Sequence, residues 1–532
     1  MSEQIIEIKK CACWADFNIT DIDMEFLDKL SPVFAWEKYP LPVPSLCPDC
    51  RKFSRLVWRN EKKIYRRKCD LSWKDIIAIF PPTSPFKIYE DKAWDSEAWD
   101  AKDYGKDFDF SRPFFEQWSE LLLSVPLPSR WVRFTENSEY CNASTSIKNC
   151  YLSFSINTSE NLLYCVDAVR CNSCTDCFWI VDCENCYECI LASWCYDCRN
   201  SYDIRDCRDS DFLLSCENCT DCYWCFDLKD KRYCIYNIEY SKEAYEAKLN
   251  EIKKLPFSEQ KNLFEEFYRW KYIKQPLKNI WSENVVDSEQ IINSKNISHC
   301  KHVLWGQDLR YCQKMQVPTV SMSMDYTWFW NNCEKIYYSQ QVWNNASNIY
   351  FSVGTFNDVS NIYYSAHCRN WVQDCFWCVS LIHAESYCIL NKQYTREEYG
   401  EIMPKIIEHM KKNGEWWEFF PASISTYWYD DSVCQILSPL TQKEAIGKGY
   451  SWSGYEAPFP KVDKIIPANK LPENISDIPD DILNWAIECE VTNKPFRVVK
   501  QELDFYRKHA LPIPRLHPDK RYSEKLKWYI NY

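Results

Sequence analysis

The sequence predicts a mainly β protein: two narrow, cysteine-rich β-solenoids with rungs of 12–13 residues, each followed by helices, plus an N-terminal zinc-ribbon-like knuckle and a degenerate C-terminal copy of it. Three observations carry this. From Cys141 to Cys234 every cysteine falls at a residue number divisible by three. That segment divides into repeating twelve-residue units such as CENCYECILASW at 183–194. Both arrays also close on one phrase, YCIYNIEYSKEAY at 233–245 and YCILNKQYTREEY at 387–399. A period of three belongs neither to a helix nor to a simple strand. It describes a coil that turns one side chain inward every third residue, and internal repetition is the signature of a stacked architecture.

Residues 1–70 form the knuckle with a basic tail. Cys47 and Cys50 make a CPxC half-site that suits one corner of tetrahedral zinc, and Cys11 and Cys13 close it, with Cys69 as a possible substitute. A short segment poor in aliphatic residues gains folding free energy from such a metal. The tail, RKFSRLVWRNEKKIYRRK, holds nine basic residues and one acid over 51–68. With aromatics interleaved, Arg51, Lys52, Arg55, Arg59, Lys62, Lys63, Arg66 and Arg67 are candidate nucleic-acid contacts. A patch docking on the chain's own acidic solenoid is the alternative. Residues 71–134, Trp-rich and acidic, read as a linker with a capping helix, because an open solenoid end needs covering.

The first solenoid spans 135–240. Its inward column is Cys, Ser, Ala, Ile or Leu, small enough for a twelve-residue bore. The third position of each unit (Asn149, Asn161, Asp209, Asn218) reads as a corner, since Asn and Asp tolerate left-handed backbone. A nine-residue unit is expected at 207–215. Residues 241–281 are a helical connector with Ser241 as N-cap. The second solenoid spans 282–390, with units of twelve to Phe329 and thirteen from Trp330. A helix comes next over 391–425, behind Thr395. The C-terminal region, 426–532, repeats the knuckle: Phe17, Ile19, Phe26 and Lys29 match Phe496, Val498, Phe505 and Lys508, while Thr492, His517 and Lys520 stand where cysteines would be.

Composition narrows function. With 8 glycines there is no GxGxxG or Walker loop, and with 7 histidines the usual acid–base chemistry is scarce. No nucleophile, base and orienting group assemble, so the chain reads as non-enzymatic. It lacks an apolar run of membrane-spanning length and a signal h-region, which implies a cytoplasmic protein without a membrane partner. There, 31 cysteines are thiols or metal ligands more readily than disulfides. Since Ser and Ala replace Cys freely in the column, core filling is the expectation, and a metal or iron–sulfur array the sharper alternative.

The runs CPDCRKFSRLVWRNEKKIYRRKCD, DYGKDFDFSRPFFEQW and IPDDILNWAIECEVTNKPFRVVKQELDFYRKH resemble a family of long, cysteine-rich zinc-ribbon proteins of candidate-phylum bacteria. Some members carry a CaiB/BaiF (CoA-transferase) label, which this sequence does not support because it cannot supply the cofactor fold. The likeness implies the fold and zinc, and no activity. It also implies a second cysteine pair after Cys69, where this chain has Tyr89, Glu90 and Asp91.

In the second array Tyr337, Tyr350, Tyr363 and Phe376 stack in register, with Tyr338, Phe351, Tyr364 and Trp377 beside them. A contiguous aromatic surface is either covered or a binding site. The functional expectation is a zinc-binding scaffold presenting this face to a protein partner. The alternatives are an RNA- or ribosome-associated zinc-ribbon protein using the basic tail, and a thiol-rich metal buffer.

Overall fold

The triplet register has a backbone cause. Ala143, Ser146, Asn149, Leu152, Ser155, Thr158, Asn161 and Tyr164 all have φ between 46° and 59°, and each immediately precedes an inward-facing residue. The chain therefore turns a corner at every third residue, and four corners close a rung. The Asn and Asp column predicts one corner per rung; the structure places one at all four columns. For a residue with a Cβ, left-handed backbone costs about 1–2 kcal/mol. Saturated hydrogen bonding between rungs offsets it. The corner residue donates backward (Asn161 N to Lys148 O, 2.9 Å; Tyr164 N to Tyr151 O, 3.0 Å), and the residue after the inward one donates forward (Tyr151 N to Leu162 O, 2.9 Å).

The third N–H of a triplet, on the inward residue itself, goes to the side chain one rung earlier where that residue is a serine or, at Cys300, a cysteine. Cys150 N donates to Ser138 Oγ at 3.0 Å, Cys165 N to Ser153 Oγ at 3.1 Å and Cys222 N to Ser210 Oγ at 3.0 Å, each twelve residues apart. The inward hydroxyl or thiol in turn donates to the carbonyl two residues back, as in Ser153 to Tyr151 and Cys165 to Leu163. Cys312 N donates to Cys300 Sγ at 3.2 Å in the same way. Serine and cysteine interchange in this column because each both donates and accepts there.

The computed structural model describes residues 3–531 except 35–36, 167–174, 176, 178–182, 184–185, 190–197, 272–278, 280, 326, 330–332, 335–339, 344–348, 350–352, 357–361, 369, 371, 384 and 460. The chain forms two compact units, residues 1–129 with 276–455 and residues 130–275 with 456–532.

In the second of these, parallel strands pair at a constant offset of twelve: Ser144 with Val132, Cys198 with Ser210, Asp211 with Tyr223, Thr220 with Arg232. The nine-residue unit expected at 207–215 does not exist, since Ser210 and Leu213 occupy inward places where the cysteine is merely replaced. Corner asparagines form ladders, Asn137 to Asn149 to Asn161 at 3.1 and 3.2 Å, and Asn218 ends on Asp230 at 2.6 Å. A hairpin of Arg232–Ile235 with Ile238–Glu239 closes the array. Ser241 then caps the helix Lys242–Ile252, accepting from Ala244 N, as the sequence predicts. The helix Phe257–Lys271 covers Phe212, Tyr223 and Trp224.

In the other unit the second array begins at an offset of twelve (Glu283 with Lys295, Val303 with Met315). It passes through fourteen at Gly306 with Val320 and Gln313 with Thr327, then settles at thirteen from Val320 with Cys333. The change comes earlier than Trp330, where the sequence predicts it. The hairpin of Cys388–Ile389 with Lys392–Gln393 closes this array, and Thr395 forms a capping box with Glu398 at the start of the helix Arg396–Lys412.

Candidate metal centre and the faces around it

The N-terminal knuckle is a hairpin followed by a helix. Strand β1 (Ile5–Lys10) pairs antiparallel with β2 (Asp16–Thr20), and the tight turn between them holds Cys11 and Cys13. Cys11 N donates to Ala15 O and Trp14 N to Cys11 O, both at 2.9 Å, with Trp14 left-handed at φ 70°. Helix α1 (Asp21–Leu30) comes next, and α2 (Pro48–Leu56) starts with Cys47 as its N-cap and Pro48 in the first turn, where a missing N–H is harmless.

These pieces bring together Cys11, Cys13, Cys47 and Cys50, whose sulfurs all lie within 4.8 Å of one another. Cys13 Sγ and Cys47 Sγ are 3.7 Å apart, and Cys47 N donates to Cys11 Sγ at 3.2 Å. Four sulfurs at about 2.3 Å from a tetrahedral zinc would stand about 3.8 Å apart, whereas a disulfide needs about 2.05 Å. The set fits a tetrahedral thiolate-bound metal; Phe17, Ile19, Val43 and Leu46 pack against its Cys11, Cys47 and Cys50 side, and Cys13 is exposed. Burial pushes the Cys11 thiol up, but the backbone N–H groups of Cys13 and Cys47 outweigh it and bring it down to about 6. Burial pushes Cys47 and Cys50 the other way. Among the described residues this is the single cluster of three or more Cys, His, Asp or Glu able to hold a metal.

Cys69 is not part of it. It is buried at the turn of a second hairpin, Tyr65–Lys68 with Asp75–Ala78. That turn repeats the first with one residue more: Cys69 N to Lys74 O, Trp73 N to Cys69 O, Trp73 at φ 57°. Glu90 N donates to Cys69 Sγ at 3.2 Å and Glu90 caps the short helix Asp91–Trp94, so Glu90 stands where Cys47 stands in the first copy. The C-terminal copy does the same: Cys489 N to Lys494 O, Asn493 N to Cys489 O, Asn493 at φ 54°, and the backbone of His517 bonded to Cys489. The knuckle thus occurs three times and keeps four cysteines once. In the C-terminal copy His517 Nδ1 accepts from Asp519 N at 3.1 Å and Lys520 pairs with Glu524 at 3.2 Å, occupations of the helix start in place of ligation.

The basic tail is a correction. Arg51, Arg55 and Arg59 are each 2% exposed. Arg51 Nε lies 2.7 Å from Asp325, a residue of the second solenoid, Arg55 lies 3.7 Å from the same carboxylate, and Arg59 pairs with Glu61 at 2.6 Å. Arg67 pairs with Asp70 at 2.9 Å and Lys63 with Asp431 at 3.3 Å, while Lys52 and Lys62 are partly buried and Arg66 is exposed. The helix turns its arginines into the chain because burying a guanidinium requires a fixed carboxylate, and Asp325 supplies it.

The C-terminal knuckle docks on the first solenoid by the same residues. The spacing PDxRxxx(R/K)L aligns Arg51 and Arg55 with Arg521 and Lys525. Arg51 lies 5.3 Å over the ring of Tyr311, and Arg521 lies 4.6 Å over that of Tyr164. Lys525 pairs with Glu188 at 3.0 Å. The first helix contributes in both copies: Asp23 accepts from Arg310 Nε at 2.6 Å, and Glu502, at the matching position, accepts from Tyr164 OH at 2.8 Å.

The aromatic face is the second correction. Tyr363, Tyr364, Phe376 and Trp377 are buried. Phe34 packs on Tyr363 at 4.7 Å and on Phe376 at 5.7 Å, Phe114 stacks on Trp377 at 4.0 Å, and Tyr364 lies among Phe114, Trp416 and Trp417. These four rings serve as the floor on which segments of the same unit pack. Tyr337, Tyr338, Tyr350 and Phe351 lie outside the described residues.

No known family model, curated protein or solved structure matches the chain. Among the described residues no helix is long and apolar enough to cross a membrane.

Proposed function

We propose that the chain is a non-enzymatic scaffold of the cytoplasm whose N-terminal knuckle is stapled by one zinc ion and offered to a protein partner. The observation that carries this reading is the cysteine tetrad, with its sulfurs mutually within 4.8 Å. Tetrathiolate sites of that kind are closed and structural, without an open coordination position for chemistry. Every described cysteine is a free thiol, which fits a reducing compartment.

Burial of Tyr363, Tyr364, Phe376 and Trp377 moves the partner surface to the knuckle itself. Ile5, Ile6 and Ile8 on β1 are 52, 58 and 64% exposed and Trp14 at the turn is 80% exposed, an apolar concentration at one hairpin. The RNA reading loses Arg51, Arg55 and Arg59 to internal pairing, and the metal-buffer reading needs several groups able to hold a metal, of which the described residues contain the knuckle tetrad alone. The test is metal content per chain after purification under reducing conditions. About one zinc per chain is expected; no metal, or several ions per chain, overturns the proposal.

A further inference from the structure

The cysteines divide into two populations. Those of the solenoid column are buried and act as hydrogen-bond donors: Cys177 to the carbonyls of Thr175 and Cys186, Cys207 to those of Arg205 and Cys216, Cys225 to those of Tyr223 and Cys234. Burial pushes the Cys141 and Cys368 thiols up to about 12. A donating, protonated, inaccessible thiol is inert toward oxidants. The knuckle differs in exposure and in the spacing of its sulfurs. Cys13 is the one exposed cysteine among the described residues, and its sulfur stands 3.7 Å from that of Cys47. Closing that gap to a disulfide bond requires an approach of about 1.7 Å. The turn carrying Cys13 can supply it, because the neighbouring Trp14 side chain is 80% exposed and meets the end of a flexible lysine, Lys10 Nζ, 5.2 Å from its ring.

We propose that Cys13 and Cys47 are the chain's thiol-oxidation site, at which a hydroperoxide forms a disulfide and expels the knuckle's metal. The metal-release half rests on the zinc reading above; the disulfide half does not. In the first step the Cys13 thiolate attacks one peroxide oxygen, the O–O bond breaks, and Cys13 becomes a sulfenic acid while the leaving oxide takes a proton to become water or an alcohol. In the second, the Cys47 thiolate attacks that sulfur, the S–S bond forms, the S–O bond breaks, and hydroxide leaves as water. Two electrons pass from the sulfur pair to the peroxide and two protons are consumed. The tetrad is left with two thiolates, too few to close a tetrahedral site.

The consequence is directional. Cys47 is the N-cap of α2, the helix whose Arg51 and Arg55 dock on Asp325. Oxidation therefore acts at the hinge between the exposed hairpin and the docked helix, and leaves the solenoid thiols untouched.

The experiment uses the full chain, reduced, with its metal content measured first. Hydrogen peroxide is added in stoichiometric steps, zinc release is followed with a chromogenic chelator, and disulfides and alkylated cysteines are mapped by mass spectrometry. The expected result is one Cys13–Cys47 linkage for each zinc released, with the solenoid cysteines reduced until the protein is unfolded. In the Cys13→Ser variant no knuckle disulfide forms and oxidation of the remaining thiols is at least about tenfold slower than that of Cys13 in the parent. Oxidation of solenoid cysteines before the knuckle, or a metal-bearing protein that keeps its zinc and forms no Cys13–Cys47 linkage, overturns the proposal. A reduced protein without metal overturns the zinc reading alone, because formation of the Cys13–Cys47 disulfide still decides this one.

Discussion

Replacing Asp325 with Asn tests whether the knuckle is held on the second solenoid by charge. Asp325 is fully buried, 2.7 Å from Arg51 Nε and 3.7 Å from Arg55 Nη1, and both arginines are 2% exposed. The amide keeps the shape and removes the charge, leaving two guanidinium groups buried against a neutral partner. Breaking a buried pair in this way costs about 3–5 kcal/mol. Because the two units of the chain need not unfold together, a local readout is the right one. Native-state hydrogen exchange of the α2 amides should accelerate by about a hundred- to several-thousand-fold, at about 1.4 kcal/mol per decade. Metal content should not change, since all four cysteines remain. Replacing Arg51 and Arg55 with Met together with Asp325→Leu should recover most of the loss, because a buried apolar triad needs no compensation. If Asp325→Asn leaves α2 exchange within about fivefold of the parent, charge pairing does not hold the helix and the docking argument fails.

Three further outcomes are expected. Cys47→Ser should abolish metal binding while α2 persists, because serine is itself a good N-cap; metal analysis and circular dichroism separate the two effects. Ser153→Ala should cost about 1–3 kcal/mol in urea unfolding, because it leaves the Cys165 N–H without its acceptor, whereas Ser153→Cys should cost less than about 1 kcal/mol. Arg310, hydrogen-bonded to both carboxylate oxygens of Glu3, holds that carboxyl below its ordinary 4.5. Its stabilisation is therefore complete above about pH 4.5 and lost as pH falls through the depressed value. Glu3→Gln should be less stable than the parent at neutral pH, the difference closing below about pH 4.5 in a pH series of unfolding midpoints.

The solenoids were legible because their signal is local and repeated. A column such as Cys183, Cys186, Cys189 declares its period within one rung, and the capping residues Ser241 and Thr395 are marked by the charged helix formers directly behind them. The tetrad was legible from the CPxC spacing of Cys47 and Cys50 and from Cys11 and Cys13 as the pair to close it. Left-handed corners at all four columns were not, because three of the four mix turn formers such as Asn200, Asp203 and Asp206 with residues such as Leu152, Phe212 and Trp224 that carry no turn preference. There the conformation is imposed by hydrogen bonds between rungs, an interaction twelve residues away that no local propensity records. The step through fourteen residues at Gly306 was hidden for the same reason.

The basic tail shows why composition misleads about charge. Nine cations in eighteen residues look like a surface for phosphate only while their partner is out of sight, and Asp325 lies 274 positions further along the chain. The sequence nevertheless held a discriminating observation. In the C-terminal knuckle the ligand positions have become Thr492, His517 and Lys520, yet Arg521 and Lys525 stand where Arg51 and Arg55 do. If the arginines served the metal, they should have decayed with the cysteines. If they served nucleic acid, they should be exposed, and Arg521 and Lys525 are 5 and 7% exposed. Each copy has a solenoid of its own unit beneath it, with Tyr311 and Asp325 under one and Tyr164 and Glu188 under the other. The docking cations are thus present in both copies while the full cysteine tetrad stands in the N-terminal one: these cations belong to the architecture whether or not the ligands are there.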